Sequence, residues 1–128
     1  MVSTTRAQRI ATRIREELSE MLVLEISDPR LNGVSITDVT VDRELAYADI
    51  YVSSIRGEDS VESILKGFEH AQGYIRRELT QRVDLRTFPR LRFHWDSTFE
   101  RADRIERLIA ELSEQNASSE SEEIQDEG

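Results

Sequence analysis

The hydrophobic period changes twice along this chain, and each change excludes whole classes of fold. Ala7, Ile10, Ala11, Ile14, Leu18, Met21 and Leu22 recur at three and four residues, which puts them on one stripe of a helix from about Thr4 to Leu24. From Val34 to Val52 the period falls to two. Val34 and Ile36 alternate, Val39 and Val41 follow on the other parity, and Ala46, Ala48, Ile50 and Val52 form a further set. The parity switch predicts a bulge near Thr37 and Asp38. The short polar stretch Asp42-Arg43-Glu44 predicts an antiparallel hairpin. An all-helical bundle and an all-β sandwich are both excluded.

The helical period then returns, with Val61, Ile64, Leu65, Phe68, Ala71, Ile75, Leu79 and Val83. Leu91, Phe93 and Trp95 alternate with Arg92, His94 and Asp96 as a third strand, and Ala102, Ile105, Leu108, Ile109 and Leu112 are expected to face inward on a last helix. The first helix is capped by Ser3 or Thr4 and stopped by Ser27-Asp28-Pro29-Arg30; Asp59 with Glu62, and Ser97 with Glu100, are capping-box starts for the later helices. Gly73 sits inside the second helical run. An interior glycine costs about 1 kcal/mol against alanine, so it implies a kink, a tight approach, or both. The expected fold is α+β: a three-stranded sheet covered by helices, in the order α-β-β-α-(kink)-α-β-α.

With 128 residues the chain is expected to form one domain. It contains no cysteine, which removes disulfides and thiolate chemistry. No apolar run is long enough to cross a membrane, and a helical pattern begins where a signal peptide would stand. A cytoplasmic protein is expected. The net charge of -9 argues against nucleic acid when taken whole. However, seven acids and no base lie between Glu111 and Gly128, which leaves 19 acids against 17 bases in the rest. The body is close to neutral. Residues 113–128 are expected to be an acidic disordered tail following a folded domain of residues 1–112.

Catalysis finds no support in these residues. His70 and His94 lack metal-ligand spacing and partners, and no phosphate-binding glycine loop or nucleophile motif is present. No enzyme activity, metal or cofactor is expected. Binding is better supported. Arg76, Arg77, Arg82, Arg86, Arg90 and Arg92 are answered between Ala71 and Trp95 only by Glu78 and Asp84, and such a stripe attracts phosphate. Arg6, Arg9 and Arg13 flank the apolar stripe of the first helix, where Arg13 is also placed to pair with Glu17. Beside Gly73, Tyr74 either lies exposed for base stacking or is turned back onto the protein by a kink.

Several ordered segments resemble the bacterial ribosome-binding factor A proteins. They are Arg9-Ile10-Ala11 with Glu17-Leu18, Glu25-Ile26, Asp28-Pro29-Arg30-Leu31, and Val39-Thr40-Val41 running into Asp42-Arg43-Glu44-Leu45-Ala46-Tyr47-Ala48. Ile50-Tyr51-Val52-Ser53, Ala71-Gln72-Gly73-Tyr74-Ile75-Arg76 with Leu79, Leu85-Arg86, Pro89, Leu91, Phe93 and Asp96-Ser97 complete them. The resemblance covers about Arg6 to Leu112. It implies a type II KH-like domain in which an Ala-x-Gly kink, here Ala71-Gln72-Gly73, replaces the usual GxxG turn. It further implies a non-catalytic, monomeric factor that binds the small ribosomal subunit and 16S ribosomal RNA, supports late maturation and 5′-end processing, and matters in the cold. By position, Ala71, Gln72, Gly73, Arg76, Arg77 and Arg82 fall on the RNA face that the resemblance implies. Where many relatives carry a Lys-rich surface, this body is slightly acidic. A protein-interaction adaptor whose arginines only make surface pairs is the alternative.

Overall fold

The computed structural model describes the backbone of residues 1–127, and their side chains except those of Phe99 and residues 118–127. Helix α1 spans Thr4–Leu24, as its stripe predicts, and the Ser3 hydroxyl accepts a hydrogen bond from the Arg6 amide at 3.1 Å. Its buried side is Ala7, Ile10, Ala11, Ile14, Leu18 and Met21. Asp28 is extended (φ -118°, ψ 118°), the conformation that a following proline imposes, and a single 3₁₀ turn at Pro29–Leu31 redirects the chain.

Strands β1 (Val34–Val41) and β2 (Tyr47–Ser54) pair antiparallel, and their register shifts between Ile36 and Asp38. The expected bulge is there. Strand β3 (Arg90–Trp95) lies parallel to β2, giving the order β1-β2-β3. A parallel neighbour needs a long crossover, and helix α2 (Val61–Arg82) supplies it. One face of the sheet, through Ile36, Val39, Ala48, Ile50, Val52 and Leu91, shares a core with α1 and α2. Phe68 of α2 stacks on Phe93 of β3 with ring centroids 4.5 Å apart. The α+β class with a three-stranded sheet stands.

Several expectations differ from the structure. The helix–kink–helix pair is one helix, hydrogen-bonded without interruption through Gly73. Buried Ile64 and Phe68 before the glycine and Ile75 and Leu79 after it anchor both halves to one core, which outweighs the propensity cost of a single glycine. The capping box at Asp59 does not form, because α2 starts one residue later behind Ser60, whose side chain makes no capping bond. Helix α3 spans Thr98–Glu127, a range that takes in most of the acidic segment. That stretch has neither proline nor glycine before Gly128 and is rich in Glu, so nothing local ends the helix.

The chain forms two compact units, Met1–Asp96 and Ser97–Gly128. In the second, Ala102, Ile105, Leu108, Ile109 and Leu112 are exposed rather than inward. Their spacing makes a stripe, which fixes a helix face but not what covers it.

The tight approach also belongs to a different glycine. A Cβ on Gly67 would meet Leu31 Cδ2 at 2.9 Å and Arg30 Cβ at 3.3 Å, whereas one on Gly73 would meet nothing within 4 Å. Gly67 lets α2 close on the turn after α1. Gly67→Ala is therefore expected to destabilise by about 1 kcal/mol, overpacking being only partly offset by helix propensity. Gly73→Ala should stabilise by about 0.5–1 kcal/mol. Urea denaturation of the two variants checks the contrast.

Candidate nucleic-acid interface

The arginines separate into those held by carboxylates and those left free. Arg82, at the end of α2, reaches Glu17 at 3.4 Å, Glu78 at 3.3 Å, and Glu25 in a short contact. Its hydrogen bond to Glu25 raises the guanidinium pKa and lowers that of the Glu25 carboxyl. Glu17 also takes Arg13, one turn back on α1, at 2.8 Å. Arg82 is thus a clasp between two helices: the residue expected on the RNA face is engaged with three carboxylates, two of which, Glu17 and Glu25, its sequence neighbourhood does not reveal.

Tyr74 is turned onto the same cluster. Its hydroxyl donates to Glu25 at 3.5 Å, and desolvation, with the Glu25 charge behind it, raises its pKa. Of the two readings of Tyr74, the structure takes the one turned back onto the protein, without the helix break. Arg77 lies over its ring at 5.7 Å. Ala71 and Tyr74 line a hollow of about 370 Å³ with Ile26, Asp28 and Arg30. There the Arg30 side chain and amide hold Asp28 at about 2.

Arg92 is committed as well. It binds both oxygens of Asp49, at 2.8 and 3.0 Å, and lies 3.9 Å over the Tyr47 ring. The arginine, with His94 second, lowers the Asp49 pKa. His94 Nε2 stands 2.7 Å from Asp49.

The remaining members of the predicted set are exposed and have no ion pair among the described residues: Arg6, Arg9, Arg76, Arg77, Arg86 and Arg90. Arg76 is oriented without being neutralised. It donates to the Pro89 carbonyl at 3.2 Å and lies 6.0 Å over Phe88, so its charge stands beside the start of β3 and Arg90. Gln72 donates to the Leu91 carbonyl at 3.4 Å, joining the middle of α2 to β3. Gly73 is exposed with open space above it.

The free cations therefore concentrate at the second half of α2, the loop after it and the first residue of β3. Arg6 and Arg9 lie apart from them on the first turns of α1. Among the described residues no group of His, Asp and Glu is placed to hold a metal, and no helix is long and apolar enough to cross a membrane. What the sequence reading missed is the grouping of Asp49 and two tyrosines with Arg92 and His94. Period-two alternation puts each on the outer face, but the parallel register of β2 and β3 is what brings them together.

A family model described as ribosome-binding factor A matches residues 6–109. The chain belongs to the ribosome-binding factor A family. A ribosome-binding factor A from Aromatoleum aromaticum is 41% identical over 108 residues, which cover 84% of this chain and 85% of that one. Among solved structures, the crystal structure of ribosome-binding factor A from Thermus thermophilus superposes with a TM-score of 0.62 at 25% identity, over 70% of this chain and 93% of that one. A homology model of the Thermus thermophilus factor, fitted into a cryo-electron-microscopy map of a 30S–RbfA complex, gives a TM-score of 0.59 at 25% identity over 72% and 97%. Members of the ribosome-binding factor A family thus share both the sequence pattern and the fold.

Asp28 supplies a pH test. Its pKa falls from 3.8 to about 2 on folding, so its stabilising effect is present above 3.8 and is lost as pH falls toward 2. Asp28→Asn should melt below the natural protein at neutral pH, and the gap should close between 3.8 and about 2. Thermal melts across that range measure it.

Proposed function

We propose that this protein binds the free small ribosomal subunit through 16S ribosomal RNA and assists its late maturation, including 5′-end processing and growth in the cold. Family membership supports the reading, as does the Thermus thermophilus relative fitted into a 30S–RbfA complex. The observation that carries it is the set of unneutralised guanidinium groups, Arg76, Arg77, Arg86 and Arg90, around the end of α2 and the start of β3. Arg6 and Arg9 extend the contact, while the Ala71-Gln72-Gly73 segment takes the part of the KH turn with its backbone open at Gly73.

Phosphate binding at such groups draws its free energy from counterion release and weakens with salt. A factor without catalytic chemistry acts by differential affinity. If it holds an immature RNA arrangement more tightly than the mature one, it shifts the equilibrium by that difference and leaves once the mature state prevails. In the cold, misfolded RNA helices escape slowly, so such a bias is worth most there. The factor works as a cytoplasmic monomer, and the acidic segment 113–128 keeps it soluble without joining the RNA contact.

The paired Arg13, Arg82 and Arg92 are what favour an adaptor whose arginines are structural. Salt dependence separates the readings, because a dry protein groove responds weakly to salt. Replacing Arg76, Arg77 and Arg86 together by Glu should weaken co-sedimentation with free small subunits about a hundredfold and lower the log–log salt slope by about 2–3. Its melting curve should be unchanged. Arg82→Gln should do the reverse, lowering the melting temperature while folded molecules bind normally. Undiminished binding by the triple variant overturns the proposal.

A further inference from the structure

The face of the sheet turned away from α1 and α2 is not an ordinary solvated surface. Its outward positions are Ser35, Asp38 and Thr40 on β1, Tyr47, Asp49, Tyr51 and Ser53 on β2, and Arg90, Arg92 and His94 on β3. None is aliphatic. The parallel register sets Tyr47 beside Arg90, Asp49 beside Arg92, and Tyr51 beside His94. Arg92 lies 3.9 Å over the Tyr47 ring, and His94 stacks on Tyr51 at 5.0 Å with the planes 27° apart. Asp49 holds both from below, with Arg92 Nε and His94 Nε2 sharing one of its oxygens at 2.8 and 2.7 Å. The flat groups are fixed without being buried: the side chains of Arg92 and His94 are 50% and 40% exposed, and Tyr47 is 37% exposed.

We propose that this outer face is a second contact surface, separate from the helix-side arginines, and that it binds unpaired bases of single-stranded RNA by stacking. It goes beyond the subunit contact proposed above and shares only Arg90 with it. Aromatic and guanidinium planes accept any base face, and holding them in place beforehand reduces the ordering cost of binding. Arg90, exposed and without an ion pair among the described residues, supplies the phosphate contact at the edge. The centre of a protein–protein interface is depleted of charged residues, whereas the rings here alternate with Asp49, Arg90 and Arg92. A duplex fits poorly too. Tyr47 and Tyr51 lie about 13 Å apart along their strand, whereas bases stacked in a helix step by about 3.4 Å, so bases reach both rings only when splayed out.

The test uses the full chain with oligouridine of roughly ten nucleotides and an RNA duplex of the same length. The natural protein should prefer the single strand, and the Tyr51 and His94 ring protons should shift on titration in its NMR spectrum. Tyr47→Thr and Tyr51→Thr, which retain strand preference, should each weaken oligouridine binding about tenfold with the salt slope kept. The Arg76, Arg77 and Arg86 triple variant should instead lose salt slope in subunit binding and keep the ring shifts with oligouridine, so failure of one contact is distinguishable from failure of the other. Ring protons that do not move in the natural protein overturn the proposal whether or not the variants fold. Equal affinity for the duplex also overturns it, as does loss of subunit binding in the tyrosine variants when the natural protein has no affinity for oligouridine, which would assign the face to a protein.

Discussion

One guanidinium joins the two helices on which the rest of the molecule depends. Arg82 takes Glu17 and Glu25 from α1 and its cap and Glu78 from its own helix. It sits at the edge of a core whose apolar faces already bring α1 and α2 onto the same side of the sheet. The clasp is partly buried, so much of the attraction is offset by the cost of desolvating its members, and removing one partner leaves a half-buried carboxylate uncompensated. Its contribution is direction. Burial favours α1 and α2 lying on the sheet, while the carboxylates specify which turn of one faces which turn of the other. Tyr74 joins the same cluster through Glu25, so the middle of α2 is referenced to the end of α1 and Gly73 faces outward.

That arrangement also sorts the charge. Arg13, Arg82 and Arg92 have carboxylates in contact, whereas Arg76, Arg77, Arg86 and Arg90 do not. A charge balance taken along the sequence treats all seven alike. In space, the paired ones bind the protein to itself and the free ones gather where α2 passes into β3. A slightly acidic body thereby keeps a local cationic surface, because its carboxylates are engaged elsewhere in the fold.

Most of the fold was legible for reasons that can be named. The stripe from Ala7 to Met21, the parity switch at Thr37 and the alternation of Leu91 with Arg92 all come from neighbours close in sequence, which is where periodicity carries information. What could not be read depends on which residues meet across long separations. Gly73 drew notice as a costly glycine, yet the close approach is at Gly67, because Leu31 reaches α2 there. Asp59 and Glu62 have capping-box spacing, but a short 3₁₀ turn at Glu58–Ser60 moves the start of the helix by one residue. The candidate site divided on the same line. Which of the expected arginines are exposed and which are paired could not be read, since Arg82 meets Glu17 and Glu25, more than fifty residues away in sequence.

The two faces of the sheet follow from a single constraint. A central strand with parallel β3 on one side and antiparallel β1 on the other turns every second residue of each strand the same way. Covering one face with α1 and α2 leaves the other without a helix partner in the Met1–Asp96 unit. An uncovered face needs only to be soluble, and threonine, serine and lysine would satisfy that requirement. Here β2 and β3 instead present two tyrosines, two arginines and a histidine around one aspartate. The aspartate is the informative member. It neutralises Arg92, so it reduces the attraction of that face for phosphate, but it also fixes Arg92 over one ring and His94 beside the other. Charge is given up for orientation, an exchange that favours recognition of flat, unpaired bases over attraction of a phosphate backbone.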